Sequence, residues 1–137
     1  MTGVPFDPIE PSIRVPVWLM TNRMSVKYRF VLDTGATRTT IHPYMSDVLR
    51  LVRDETRAAS VTTASGRSTA TFFRVPRVAG LGIERENFSV LVQQFPPSFS
   101  ADGLLGLDFF RGYVLTLDFR RNVVHLRPAH RWWQFWA

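Results

Sequence analysis

The stretch Phe30-Val31-Leu32-Asp33-Thr34-Gly35-Ala36-Thr37-Arg38-Thr39-Thr40-Ile41 constrains this chain more than any other. A run of apolar residues delivers an aspartate straight into a Thr-Gly turn. An apolar lead-in of this kind reads as a buried strand. Asp33 then stands at the mouth of that strand with few waters around it, which penalises its charge. Gly35 lets the backbone turn sharply and brings its N–H toward the carboxylate. One carboxylate so placed can do acid–base work. Two placed side by side could clamp a water, because adjoining carboxylates cannot both ionise cheaply and one keeps its proton. The charged member takes a proton from the attacking water, and the protonated member hydrogen-bonds the developing oxyanion. That chemistry needs no metal and no cofactor. The chain has one Asp-Thr-Gly, so it supplies half of such a site.

The rest of the chain reads as strands and turns. Residues 1–12 carry Pro5, Pro8 and Pro11 and read as an extended arm. Ile13, Val15, Val17 and Leu19 alternate with Arg14, Pro16 and Trp18, the period of a half-buried strand. Pro16 argues for a sheet edge or a bulge there. Thr21–Met24 reads as a turn and Val26–Leu32 as the next strand. Pro43–Leu51 suits a short helix with Pro43 in its first turn. Val61–Thr71 reads as a hairpin with its tip near Ala64-Ser65-Gly66, continued by Phe72–Val75. Ala79–Gly82 is a turn, and Phe88–Val92 is a strand. A loop from Pro96 ends at Asp102-Gly103. Leu104-Leu105-Gly106 follows, then a helical turn over Asp108–Arg111. A second hairpin pairs Tyr113–Phe119 with Val123–Leu126 around Arg120-Arg121-Asn122. This is one all-β domain over 1–137, with one or two short helices. Leu104-Leu105-Gly106 faintly echoes Val31–Gly35, since each brings apolar residues to a glycine.

Asp33-Thr34-Gly35-Ala36, with its apolar lead-in and its Thr39-Thr40-Ile41 tail, resembles the active-site loop of retropepsins, the retroviral-type aspartic proteases. Leu104-Leu105-Gly106-Leu107-Asp108-Phe109-Phe110 resembles that family's second marker. The resemblance covers roughly residues 13–126 and is nearest to the bacterial and cellular single-domain members. It implies a closed β-barrel, the half-domain of an acid protease. It also implies a homodimer in which Asp33 meets its own symmetry mate and hydrolyses peptide bonds. Thr34 would lock the two loops together. Thr63, Ala64, Ser65 and Gly66 would form the flap tip over the substrate. Retroviral members usually carry acidic residues just after the alanine and a basic residue beside the second glycine. Thr37, Arg38 and Leu107 stand there instead, so the viral subsites and dimer salt links do not carry over. A catalytically silent dimerisation or adaptor module is the alternative reading. Asp102 and Asp108 lie beside the second marker outside any Asp-Thr-Gly context and read as a loop cap and a helix N-cap.

Other features narrow the classes. The chain has no cysteine, which excludes disulfides and thiolate–metal sites and makes a reducing, cytoplasmic setting the natural one. Its N-terminus lacks the pattern of a signal peptide, and no apolar run approaches a membrane span. His42, His125 and His130 have no ligand-like spacing with carboxylates, so no metal is expected. The net charge of +6 comes mostly from arginine, scattered along the chain, and does not read as a nucleic-acid surface. Residues 127–137 form an aromatic tail holding Trp132, Trp133 and Trp136. Packing against the domain or across a dimer is the favoured reading for it. Membrane contact and self-inhibition are the lesser ones.

Overall fold

Strict alternation builds the first hairpin. Val15, Val17 and Leu19 are at most 1% exposed, and the residues between them face outward. The computed structural model describes residues 3–63 and 66–129, with 58–63 and 66–69 as backbone alone. In chain order the elements are β1 (Val4–Pro5), β2 (Arg14–Met20), β3 (Ser25–Leu32), β4 (Thr40–Ile41), helix α1 (Pro43–Val48), β5 (Val52–Thr63) and β6 (Gly66–Gly80). They continue with β7 (Ile83–Val92), β8 (Gly103–Leu105), helix α2 (Leu107–Phe110), β9 (Tyr113–Asp118) and β10 (Val123–Pro128).

One sheet runs in the order β2-β3-β8-β4-β7-β6-β5 and closes through a further β2–β6 pairing. The closed ring has six strands, and β5 lies outside it, where among the described residues it pairs with β6 alone. Closure explains Pro16. No bulge is needed, and the edge is local: pairing of β2 with β6 begins only at Val17 opposite Gly80, so the strand is one-sided up to Pro16. Pro16, which has no N–H to donate, sits just outside the closing ladder and keeps its β3 neighbour Arg29.

Phe30, Ile41, Met45, Leu105 and Phe109 fill the barrel with no measurable exposure, and Val75, Val78 and Val90 join them. Each such side chain contributes about 1.5–3 kcal/mol through burial. Met45 comes from α1, where Pro43 begins the helix as expected and His42 caps it by accepting the Tyr44 N–H on Nδ1.

Several elements run longer than the sequence patterns indicate. The turn expected over Ala79–Gly82 is tighter. Gly80 pairs with Ile83, and only Leu81 and Gly82 turn, both at positive φ (53° and 80°). This is the backbone a two-residue hairpin requires. β7 starts at Ile83 rather than Phe88 because β6 supplies a ladder for the charged stretch Glu84–Glu86. The ladder is interrupted where Asn87, at φ 49°, stands beside Pro76.

The N-terminal arm is held down at its start. Val4 and Pro5 pair with Val124 and Val123, completing a three-stranded sheet β1-β10-β9. Phe6 then buries its ring, edge-on to Phe119 at 6.0 Å. In the β9–β10 turn, Asp118 accepts the N–H groups of Arg120 and Arg121. The hairpin of β5 and β6 pairs Thr63 with Gly66. The expected tip residues Ala64 and Ser65, and the tail 130–137, lie outside the described residues. Among the described residues, no helix is long and apolar enough to cross a membrane.

Candidate active site

β3 ends at Leu32, and the chain turns at once. The cause is β8, which lies parallel to β3 with Leu32 opposite Leu105 and antiparallel to β4 with Thr40 opposite Leu104. The two glycine-directed motifs are therefore neighbours, wedged between the same strands. The Asp33 N–H donates to the Leu105 carbonyl at 3.0 Å, so the second motif fixes the backbone that carries the carboxylate. The Ala36 N–H closes the turn on the Asp33 carbonyl at 3.2 Å. The Gly35 N–H donates to Asp33 Oδ1 at 3.0 Å and orients the carboxylate. A Cβ on Gly35 would stand 3.2 Å from that same oxygen, tight enough to disturb it. Asp33 is half-buried, and Thr34 and Gly35 are exposed on the surface of the single chain.

Thr39 is the bolt of this loop. It is fully buried, and its hydroxyl donates to Asp108 Oδ1 at 2.7 Å while accepting the Gly106 N–H at 3.1 Å. Its own N–H reaches the same Asp108 oxygen at 2.8 Å. The Leu107 N–H donates to the Ala36 carbonyl at 2.8 Å. Asp108 therefore does not cap its own helix, contrary to the N-cap reading of its position. Gly106 is the N-cap residue of α2, and the Asp108 Oδ1 is taken by Thr39. Asp102 does act as a loop cap, accepting the Arg29 N–H on one oxygen and the Tyr44 hydroxyl on the other. α2 itself is anchored from outside by Arg85. That guanidinium donates to the Phe109 and Arg111 carbonyls and lies 5.1 Å from the Tyr113 ring centre.

A second polar cluster lies at the base of the β5–β6 hairpin, and sequence patterns gave no sign of it. Asp54 is 3% exposed and still surrounded by donors. The Ser89 hydroxyl donates to Oδ2. The Thr56 hydroxyl (2.6 Å) and Arg74 Nη2 (3.2 Å) donate to Oδ1. The hydrogen bonds from Ser89 and Thr56 hold its carboxyl well below the usual carboxylate range, against the opposing pull of burial.

The folded-state pKa is thus depressed from the ordinary 3.8. The stability this charge contributes is complete above that value and is lost as pH falls below it. Asp118, held down first by the Arg121 N–H, works in the same direction. Melting temperature should be level from about pH 7 to about pH 5 and drop below about pH 4. An Asp54→Asn variant should melt lower at neutral pH, and the gap should narrow as pH approaches 3. Circular dichroism melts across that range check both statements. A gap that stays constant would show that the charge of Asp54 carries no stability.

A closed six-strand barrel, with Asp-Thr-Gly braced on Leu-Leu-Gly, defines a retropepsin-like acid-protease half. The chain belongs to the aspartyl protease family, whose sequence profile matches residues 15–109. Among solved structures it is similar to a retropepsin-like aspartic protease from Rickettsia conorii. Identity there is 18% and the TM-score 0.63, over 94% of this chain and 92% of that one. It is also similar to the retroviral protease-like domain of Ddi1 from Leishmania major. Here identity is 17% and the TM-score 0.50, over 87% of this chain and 96% of that one. At these identities the likeness concerns the fold. No curated protein sequence matches the chain. The profile spans Asp33, Leu104, Leu105 and Gly106, and it also spans the hairpin residues Thr63 and Gly66. Among the described residues no group of three His, Asp or Glu side chains could hold a metal.

Proposed function

We propose that this protein is a homodimeric aspartic endopeptidase, in which the Asp33 carboxylates of two chains share one water and one proton. The observation that carries the reading is the Asp33 turn. It is a single carboxylate, half-buried, oriented by Gly35 and backed by the Leu105 carbonyl, with Thr34 and Gly35 exposed beside it. One such group per chain asks for a second copy, and a two-fold axis supplies it. In the assembled site the ionised carboxylate takes a proton from water as that water attacks the peptide carbonyl. The protonated carboxylate hydrogen-bonds the oxyanion and later helps protonate the leaving amine. Substrate lies extended beneath the β5–β6 hairpin, whose tip around Thr63–Gly66 serves as the flap, and pairs through its backbone.

The test is the dependence of rate on chain concentration with an unfolded protein such as casein as substrate. The rate per chain should climb with concentration and level off once the dimer saturates. A rate per chain that is constant from nanomolar upward, in a protein that sediments as a monomer, would exclude a shared site.

A further inference from the structure

A cavity of about 550 Å³ opens next to the Asp33 loop and carries an unusual charge. Its walls come from three places: Arg38 in the loop after Asp33, Asp54, Arg57 and Arg74 at the base of the hairpin, and Asp108 and Arg111 on or beside α2. Four guanidinium groups thus face two carboxylates. Asp54 is engaged through both oxygens, by Ser89, Thr56 and Arg74, and Asp108 through Oδ1 by Thr39. The arginines are less committed. Arg57 keeps 47% of its side chain exposed and reaches Asp54 only at 3.8 Å, and Arg74 keeps 40% exposed. Among the described residues, Arg38 and Arg111 take part in no ion pair, and Arg38 lies against the face of Phe72 at 6.0 Å.

The location gives the cavity a role. Arg38 is five residues from Asp33, so the two lie at most about 18 Å apart along the chain. A substrate strand advances about 3.3 Å per residue, so a peptide held at Asp33 and running toward Arg38 covers that distance in about five residues or fewer. The same hairpin that would cover the peptide forms one wall.

Resting on the protease reading, we infer that this cavity is a specificity site that selects an acidic side chain of the substrate, three to five residues from the bond that is cut. Planar guanidinium groups suit carboxylates, which they can bind through two parallel hydrogen bonds. In a two-fold dimer the preference appears on both sides of the cut.

The probes are dodecapeptides of neutral polar residues around a central Phe-Leu bond, with Glu, Gln or Lys placed three, four or five residues from it. The Glu peptides should be cleaved with about tenfold higher kcat/KM than the Gln peptides at low salt, a ratio that shrinks as salt rises. The double variant Arg38→Glu with Arg111→Glu should reverse the order and favour Lys, a gain that a misfolded variant cannot show. The same peptides, fluorescently labelled, are also bound to the Asp33→Asn protein. If the wild type cleaves nothing, the protease reading fails, while tighter binding of the Glu peptides still supports the site. Equal cleavage of Glu and Gln peptides, or binding that is equal or absent, overturns it.

Discussion

Replacing Asp33 with asparagine should lower peptide cleavage at least about a thousandfold, the loss expected when the group that accepts the water's proton is removed. Asparagine has the same shape. Its Oδ1 can still accept the Gly35 N–H, and the Asp33 backbone bond to Leu105 is untouched. The variant should therefore fold, dimerise and bind peptide. Two copies per site make the effect sharper, because a mixed dimer keeps one carboxylate and cannot hold one charged and one protonated partner. Adding the variant to a fixed amount of wild type should thus reduce turnover by exchange of chains. Casein digestion, with sedimentation of the same samples, measures both. Equal cleavage by variant and wild type would remove Asp33 from the chemistry. A wild type that dimerises but cleaves nothing would leave a binding module built on a protease fold.

Gly106→Ala should be the most damaging small change to the fold. A Cβ there would stand 2.5 Å and 2.7 Å from the Arg38 carbonyl carbon and oxygen, and 2.9 Å from the Ala36 carbonyl oxygen. All three are backbone atoms, so no side chain can swing away. Relief requires the Asp33 loop to back off from β8, which breaks the Gly106 bond to Thr39 and the Leu107 bond to Ala36. Overpacking of this kind costs about 3 kcal/mol or more. Urea unfolding should show that loss, with cleavage lost in protein that still folds. Gly82→Ala makes the comparison. No atom lies near its Cβ and only its φ of 80° is strained, so it should destabilise by about 1 kcal/mol and leave the loop in place.

What could be read from the chain was local. The Asp-Thr-Gly turn declares itself because its apolar lead-in, its glycine and its tail are adjacent in sequence. Leu104-Leu105-Gly106 was legible as an echo of it, and pairing of both motifs through β8 gives that echo a physical basis. Alternation found β2, β3 and both hairpins, because half-buried strands repeat every two residues. Partners far along the chain left no such trace. Thr39 meets Asp108 across 69 residues, and Asp54 meets Ser89 across 35. A threonine in a polar run and an aspartate in the charged run 53–57 look like surface until the barrel closes around them. Closure through β2 and β6 likewise depends on geometry rather than pattern, and Pro16 signalled only the short one-sided start of β2, not the closed ladder that follows it.

Among the described residues, β5 is the one long strand of the barrel sheet with a partner on a single side. Open edges invite other chains, and proteins commonly guard them with charge. The first half of β5 follows that rule with Arg53, Glu55 and Arg57. Its second half, Ala58-Ala59-Ser60-Val61-Thr62-Thr63, carries no charge at all. The strand is thus divided into a stretch that repels unwanted pairing and one that tolerates it. The tolerant stretch is the one nearest the hairpin tip. Crowded or concentrated protein should self-associate there first, and a single lysine at Ser60 should raise its solubility limit.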